Sequence, residues 1–208
     1  MPVLFVLSII IGYLLGSANS SLIVGKFYGV DIRKHGSGNA GTTNALRVLG
    51  KKAAAFVLAG DLLKGVLSYL VGYFITGSAT GGMIAGVAAI FGHVWPVFFG
   101  FKGGKGVLTS LAVLLMMDWS VALALLGVFI IIVAITRYVS LGSVIAAILF
   151  PIVSTVVGRD GGRIAASAII CVLIVVMHRT NIKRLLNGTE SKLGAKKKEE
   201  GKQEAGDE

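Results

Sequence analysis

The chain has 208 residues, is 55% hydrophobic, and carries 20 Lys and Arg against 10 Asp and Glu, a formal charge of +10. At a mean hydropathy of +0.84 it holds more apolar surface than one soluble core of this length can bury, which excludes a soluble domain and predicts a membrane-embedded chain. The single Cys171 lies in an apolar run, so disulfides and a multi-cysteine metal site are excluded. On such a chain the basic excess reports orientation before it reports nucleic acid, and no nucleic-acid partner is expected.

Residues 3–24 form a first apolar stretch, long enough for about 30 Å of hydrocarbon at about 1.5 Å per residue. No charge precedes it to make a signal-peptide n-region, so it is expected to be a retained helix. Further apolar stretches run over 53–76, 83–101, 107–117, 119–136, 139–157 and 164–177, each closed by glycine, charge or both. The expectation is an all-α integral membrane protein of seven transmembrane helices, N-terminus outside and C-terminus cytoplasmic.

The stretch 107–117 makes only roughly 16 Å of helix, too short to span alone. Fusing it to the next through Asp118 would reverse the sidedness of everything downstream. Charge arbitrates, because seven helices place Lys26, Arg33, Lys34, Arg47, Lys51, Lys52, Lys102, Lys105, Arg137, Arg179, Lys183 and Arg184 inside and only Arg159 and Arg163 outside. The fourth helix is therefore kept separate, short or tilted. Residues 1–190 are read as one membrane domain and 191–208, "SKLGAKKKEEGKQEAGDE", as a charged, disordered cytoplasmic tail. No fixed-period repeat or inverted pair of halves is visible.

Three polar clusters fall on the same side under this topology: "HGSGNAGTTNALR" at 35–47, "GHVWPVFFGFKGGKG" at 92–106 and "HRTNIKRLLNG" at 178–188. The first reads either as a flexible connector or as an anion-binding concavity. Gly36, Gly38 and Gly41 expose backbone N–H groups, Ser37, Asn39, Thr42 and Asn44 add donors, and Arg47 supplies a fork suited to phosphate. In the second, Lys105 follows two glycines at the start of an apolar helix, where N–H groups and the helix dipole favour an anion. The Walker pattern cannot be fitted, since Gly106 sits where Ser or Thr would be, so nucleotide hydrolysis is not expected. Lys102 and Lys105 could equally be positive-inside flags, and His93 and Trp95 an interfacial pair. In the third, Ile182, Leu185 and Leu186 suit an amphipathic surface helix, a reading that accounts for Lys183 and Arg184 but poorly for Asn181.

Asp61 and Lys64 lie one turn apart within an apolar helix, where a structural ion pair is the leading reading and a proton relay the lesser one. Ser140 and Ser143 serve either as caps and packing groups or as hydroxyls aimed at a ligand. The clusters contain many donors and cations but neither a carboxylate base nor a cysteine nucleophile, and no Gly-x-Ser-x-Gly elbow or His-x4-Asp pair is present. Such a site suits a substrate that arrives already activated and leaves an anion, with catalysis by positioning and charge stabilisation. In a bilayer that substrate is expected to be a lipid.

The strings "GSGNAGTTNALRVLG", "GHVWPVFFGFKGGKGV" and "HRTNIKRLLNGTE" closely resemble, in order, the three motifs of the bacterial acyl-phosphate:glycerol-3-phosphate acyltransferases. The resemblance runs from the first helix to about Glu190. It implies a seven-helix enzyme of the cell membrane, its active site on the cytoplasmic face, that moves a fatty acyl chain from acyl phosphate to the 1-hydroxyl of glycerol 3-phosphate. Lysophosphatidic acid and phosphate would be the products, with no cofactor or metal and with the donor supplied through transient contact with a soluble acyl-phosphate synthase. By resemblance, the catalytic and glycerol-phosphate contacts fall on Ser37, Arg47, Lys105, His178 and Asn181. Gly36, Gly38, Asn39, Thr42, Asn44, His93, Lys102, Gly103, Gly104 and Ser143 would shape the rest of the substrate pocket.

The expected mechanism is direct attack of the glycerol hydroxyl on the acyl carbonyl, with Arg47 and Lys105 holding phosphate charge and a substrate phosphate oxygen, helped by His178, taking the proton. The main rival is an anion or phospholipid-headgroup transporter, which calls for a second polar gate outside, where only Arg159 and Arg163 are on offer. A phospholipid transferase or phosphatase would call for acidic metal ligands near the clusters. A purely structural membrane protein would leave the glycine and asparagine runs without a purpose.

Overall fold

A computed structural model describes residues 1–194, and all regular structure among them is helical. The expected tail lies outside the described residues from position 195 onward. The first apolar stretch becomes two helices, α1 (Pro2–Ser17) and α2 (Ser20–Phe27), rather than one unbroken rod. The break is written in Asn19, whose side chain accepts from the Leu22 N–H at 3.2 Å and so caps α2 with the bond a continuing helix would not need. The glycine-rich run is likewise more than loop, since it holds a short helix α3 (Thr42–Val48) behind a tight turn at 32–34.

Beyond it come α4 (Lys51–Thr76), α5 (Ala79–Val94) and α6 (Val107–Met117). They are followed by α7 (Trp119–Thr136), α8 (Val139–Val156), α9 (Gly161–Met177) and α10 (Arg179–Leu186). Five stretches are long and apolar enough to cross a membrane: Pro2–Phe27, α4, Ala79–Phe99, α7 and α8; α9 with α10 makes a sixth if the 59° bend between them is counted within one span. The short fourth helix remains separate, because Asp118 ends α6 and caps α7 by accepting from the Val121 N–H. Arg159, between α8 and α9, clamps that junction through both Asp118 carboxylate oxygens at 2.5 and 3.1 Å.

In hydrocarbon the backbone is satisfied within each helix, so association rests on close packing. Gly12 and Gly16 of α1 sit against the backbone of Ala85 and Ala89 of α5, so closely that a Cβ at either position would overlap it. The main core joins α5 to α9 around Ile90, Val113, Val121, Phe150 and Ile170, and a smaller one at the polar end gathers Leu22, Ile32, Ala45 and Val57. Outward faces stay apolar, as Ile130, Ile131 and Ile135 of α7 illustrate.

Candidate active site

The smaller core supports the first cluster. Asp31 caps the turn at 32–34 and pairs with Arg33 at 3.0 Å, and Arg33 donates at 3.1 Å to the Phe99 carbonyl, pinning the first cluster to the second. Buried Asn44 braces the glycine turn: its amide donates to the Ile32 and His35 carbonyls, each at 3.0 Å, while its oxygen accepts from the Ser37 N–H at 2.9 Å. Gly36 follows this brace at φ +62°, a left-handed conformation in which any side chain would run into Asn44. The residue expected to meet substrate thus holds the loop that presents Ser37.

The second cluster folds back on α5, with Gly103 donating to Val94 O at 3.1 Å and Gly104 to His93 O at 3.2 Å. Gly104 packs between the His93 ring and the Ala40 carbonyl, which leaves no space for a Cβ. Lys105 then turns toward the third cluster and donates to Asn181 Oδ1. The three clusters meet around one cavity of about 330 Å³. All five residues assigned as the catalytic set line it, and so do Asn39, Thr42, Asn44, His93 and Ser143. Gly36, Gly38, Lys102, Gly103 and Gly104 stand outside that lining: the glycines shape the backbone behind it, and Lys102 is exposed beyond it.

Several lining groups are already engaged. Ser143 donates to Val139 O at 2.9 Å within its own helix, and Arg47 donates to Ser191 O at 3.3 Å. Thr42 Oγ1 is buried without a hydrogen-bond partner among the described residues and is available to a ligand. Burial pushes Lys105 down to about 8; Glu190 opposes the shift while Arg184 and Arg47 reinforce it, as a cationic pocket prepared for an anion should.

Two carboxylates line the cavity against expectation, Asp61 and Glu190. Glu190 accepts from Ser140 Oγ at 2.7 Å and Asn181 Nδ2 at 2.6 Å, and pairs with Arg184 at 2.6 Å. Burial alone would raise its carboxyl, but these donors outweigh it and hold the group below the usual carboxylate range, so it is a fixed anion and a poor base. Its position at the end of the third motif was the available signal. Asp61 pairs with Lys64 at 2.9 Å, the ion pair expected from their spacing. The apolar wall of Leu58, Val107, Leu108, Phe129, Val133 and Val139 carried no mark in the sequence, since any membrane helix offers such residues. Among the described residues no three His, Cys, Asp or Glu side chains converge as a metal-ligand set.

Residues 6–188 match the family described as glycerol-3-phosphate acyltransferase. Curated members include a protein of Thermoanaerobacter sp. (strain X514), 47% identical over 92% of this chain and 96% of its own length, and one of Clostridioides difficile (strain 630), 47% identical over 93% and 97%. Two crystal structures of PlsY, an integral membrane glycerol 3-phosphate acyltransferase, superpose on the fold. The glycerol 3-phosphate form has a TM-score of 0.86 at 41% identity, covering 91% of this chain and 96% of that one. The lysophosphatidic acid form has a TM-score of 0.83 at 40% identity, covering 91% and 95%. A helical membrane fold, a cavity rich in cations and donors, and likeness over nearly the whole length agree: the chain belongs to the glycerol-3-phosphate acyltransferases, integral membrane enzymes of phospholipid biosynthesis.

Proposed function

We propose that the chain transfers a fatty acyl group from acyl phosphate to the 1-hydroxyl of glycerol 3-phosphate, releasing lysophosphatidic acid and inorganic phosphate at the cytoplasmic face of the plasma membrane. Seven crossings with the N-terminus outside fit this reading, α6 being short and α10 lying on the surface. The observation that carries it is the convergence of Ser37, Arg47, Lys105, His178 and Asn181 on one cavity that also has an apolar wall. Cationic and donor groups suit two phosphate-bearing molecules. The wall from α4, α6, α7 and α8 suits the acyl chain of one of them.

The hydroxyl oxygen attacks the acyl carbonyl carbon and the bond from that carbon to the phosphate oxygen breaks, so phosphate departs with the electron pair. Arg47 and Lys105 stabilise the charge that gathers on it. The hydroxyl proton passes to a phosphate oxygen, with His178 within the same cavity. Glu190, held as an anion by three partners, orders Asn181 and Arg184 instead of taking that proton.

The reading is tested with purified protein, glycerol 3-phosphate and either palmitoyl phosphate or palmitoyl-CoA. Lysophosphatidic acid should form from the phosphate donor and not from the thioester; formation only from the thioester would refute the assigned donor. A soluble synthase that supplies the acyl phosphate would be detected as a rise in flux at limiting donor.

A further inference from the structure

His93 reaches the cavity from the last turn of α5, and its surroundings decide which ring nitrogen carries the proton. Lys64 Nζ lies 2.8 Å from His93 Nδ1, 2.9 Å from Asp61 Oδ1 and 3.3 Å from the Ala18 carbonyl, which the break between α1 and α2 leaves free. An ammonium can only donate, and here it faces three acceptors. Nδ1 therefore presents its lone pair, and the ring proton sits on Nε2. The other groups near Nδ1 are farther away: Asp61 Oδ1 and Thr109 Oγ1, both at 3.5 Å, with the Thr109 hydroxyl directed to the Asp61 carbonyl at 3.4 Å. A proton on Nδ1 would be pressed against the ammonium to reach either of them.

His178 has the opposite arrangement. Its Nδ1 is 2.8 Å from the Ile174 carbonyl, which can only accept, so Nδ1 carries the proton and Nε2 keeps the lone pair. Two buried histidines thus line one cavity in opposite tautomers. The Nε2 edge of His93, which lines the cavity, adjoins Gly104, immediately before Lys105, where a side chain would run into it.

We propose that Asp61 and Lys64 are positioning residues that lock His93 as an Nε2–H donor to the anion held beside Lys105, leaving His178 as the ring with a free acceptor nitrogen. This rests on reading the cavity as the transfer site. His93 then cannot take up the hydroxyl proton, because its only lone pair is occupied by Lys64. It adds a neutral donor where phosphate charge accumulates. The ion pair in α4 holds the ring without itself touching substrate.

The direct test is nitrogen-15 NMR of histidine-labelled protein in nanodiscs. The chain has 3 histidines, and the His93 signals are assigned by their loss in His93→Gln. Between pH 6 and pH 8 the shifts should report a protonated Nε2 and a bare Nδ1. A protonated Nδ1, alone or together with Nε2, would overturn the proposal.

Kinetics give a second readout. Asp61→Asn/Lys64→Met removes both charges together, so neither is left buried alone, and kcat should fall about tenfold with little change in KM for glycerol 3-phosphate. His93→Gln, which retains a donor at the Nε2 position, should keep most of the rate, while His93→Phe should lose about a hundredfold. A folded double variant or His93→Phe with wild-type kcat would overturn the proposal. If wild-type protein failed to form lysophosphatidic acid from any donor, the reading of the cavity would fall, and the NMR result would still decide the tautomer.

Discussion

In the proposed reaction Lys105 is the residue at which protonation and substrate binding meet. Its ammonium is the form that would hold a phosphate there, and burial draws its pKa down to about 8. The charged form is complete well below that value and is lost as pH rises through it, so kcat/KM for glycerol 3-phosphate should decline above about pH 8. A pH series on wild type and Lys105→Arg checks this, since a guanidinium stays charged throughout and should remove the alkaline fall. Lys105→Ala should abolish turnover while leaving the thermal melting temperature close to wild type. Asn44 gives the opposite pattern. With three backbone groups depending on its side chain, Asn44→Ala should cost roughly 2–4 kcal/mol of stability, read as a lower melting temperature along with lost activity. The motif strings marked both residues and did not separate them, because residue type alone does not tell a group that meets a ligand from one that braces the loop behind it. Only the distances to Ile32, His35 and Ser37 distinguish them.

At the scale of elements, hydropathy located most apolar helices to within a few residues, since a long apolar run in a chain that must satisfy its own backbone has no other form to take. The stretch 83–101 overshoots α5, which ends at Val94. The breaks were harder to see. Asn19 interrupts an apolar stretch with a single polar side chain, and α3 hides in a run whose glycines read as loop. At the first the Asn19 cap is joined by the Lys64 contact with Ala18, and at the second α3 packs on the smaller buried core, contacts between distant residues that a local pattern does not contain. The close approach of α1 and α5 yields a prediction of its own. Gly16→Val should force those helices apart and destabilise the protein by roughly 1–3 kcal/mol, measured by thermal unfolding in detergent. A half-buried counterpart such as Gly127→Val, where an added Cβ meets nothing within 4 Å, should change little.

Across the whole molecule, the arrangement depends on three sequence-distant clusters sharing one end of the bundle. The Arg33 bond to Phe99, the packing of Gly104 on Ala40 and the Lys105 contact with Asn181 bring them together directly. Sidedness is tested with single cysteines in a Cys171→Ser background. Ser37→Cys, Lys102→Cys and Arg179→Cys should react with a membrane-impermeant reagent from the cytoplasmic side, and Gly158→Cys from the outside. Labelling of positions 37 and 102 from opposite sides would break the common cavity.

The eleven residues of α6 pack between α4 and α7, and its first two, Val107 and Leu108, form part of the cavity's apolar wall. Leu58 both lines that wall and stands 42% exposed on α4, so the wall reaches the outer surface of the bundle at that residue. A tunnel with a stop measures its guest; a slot open to the surrounding lipid has no ruler. If the donor is the proposed acyl phosphate, tail length should then be chosen upstream, by whatever makes it, and donors differing by a few methylenes should turn over at similar rates when presented at equal density in the same vesicles.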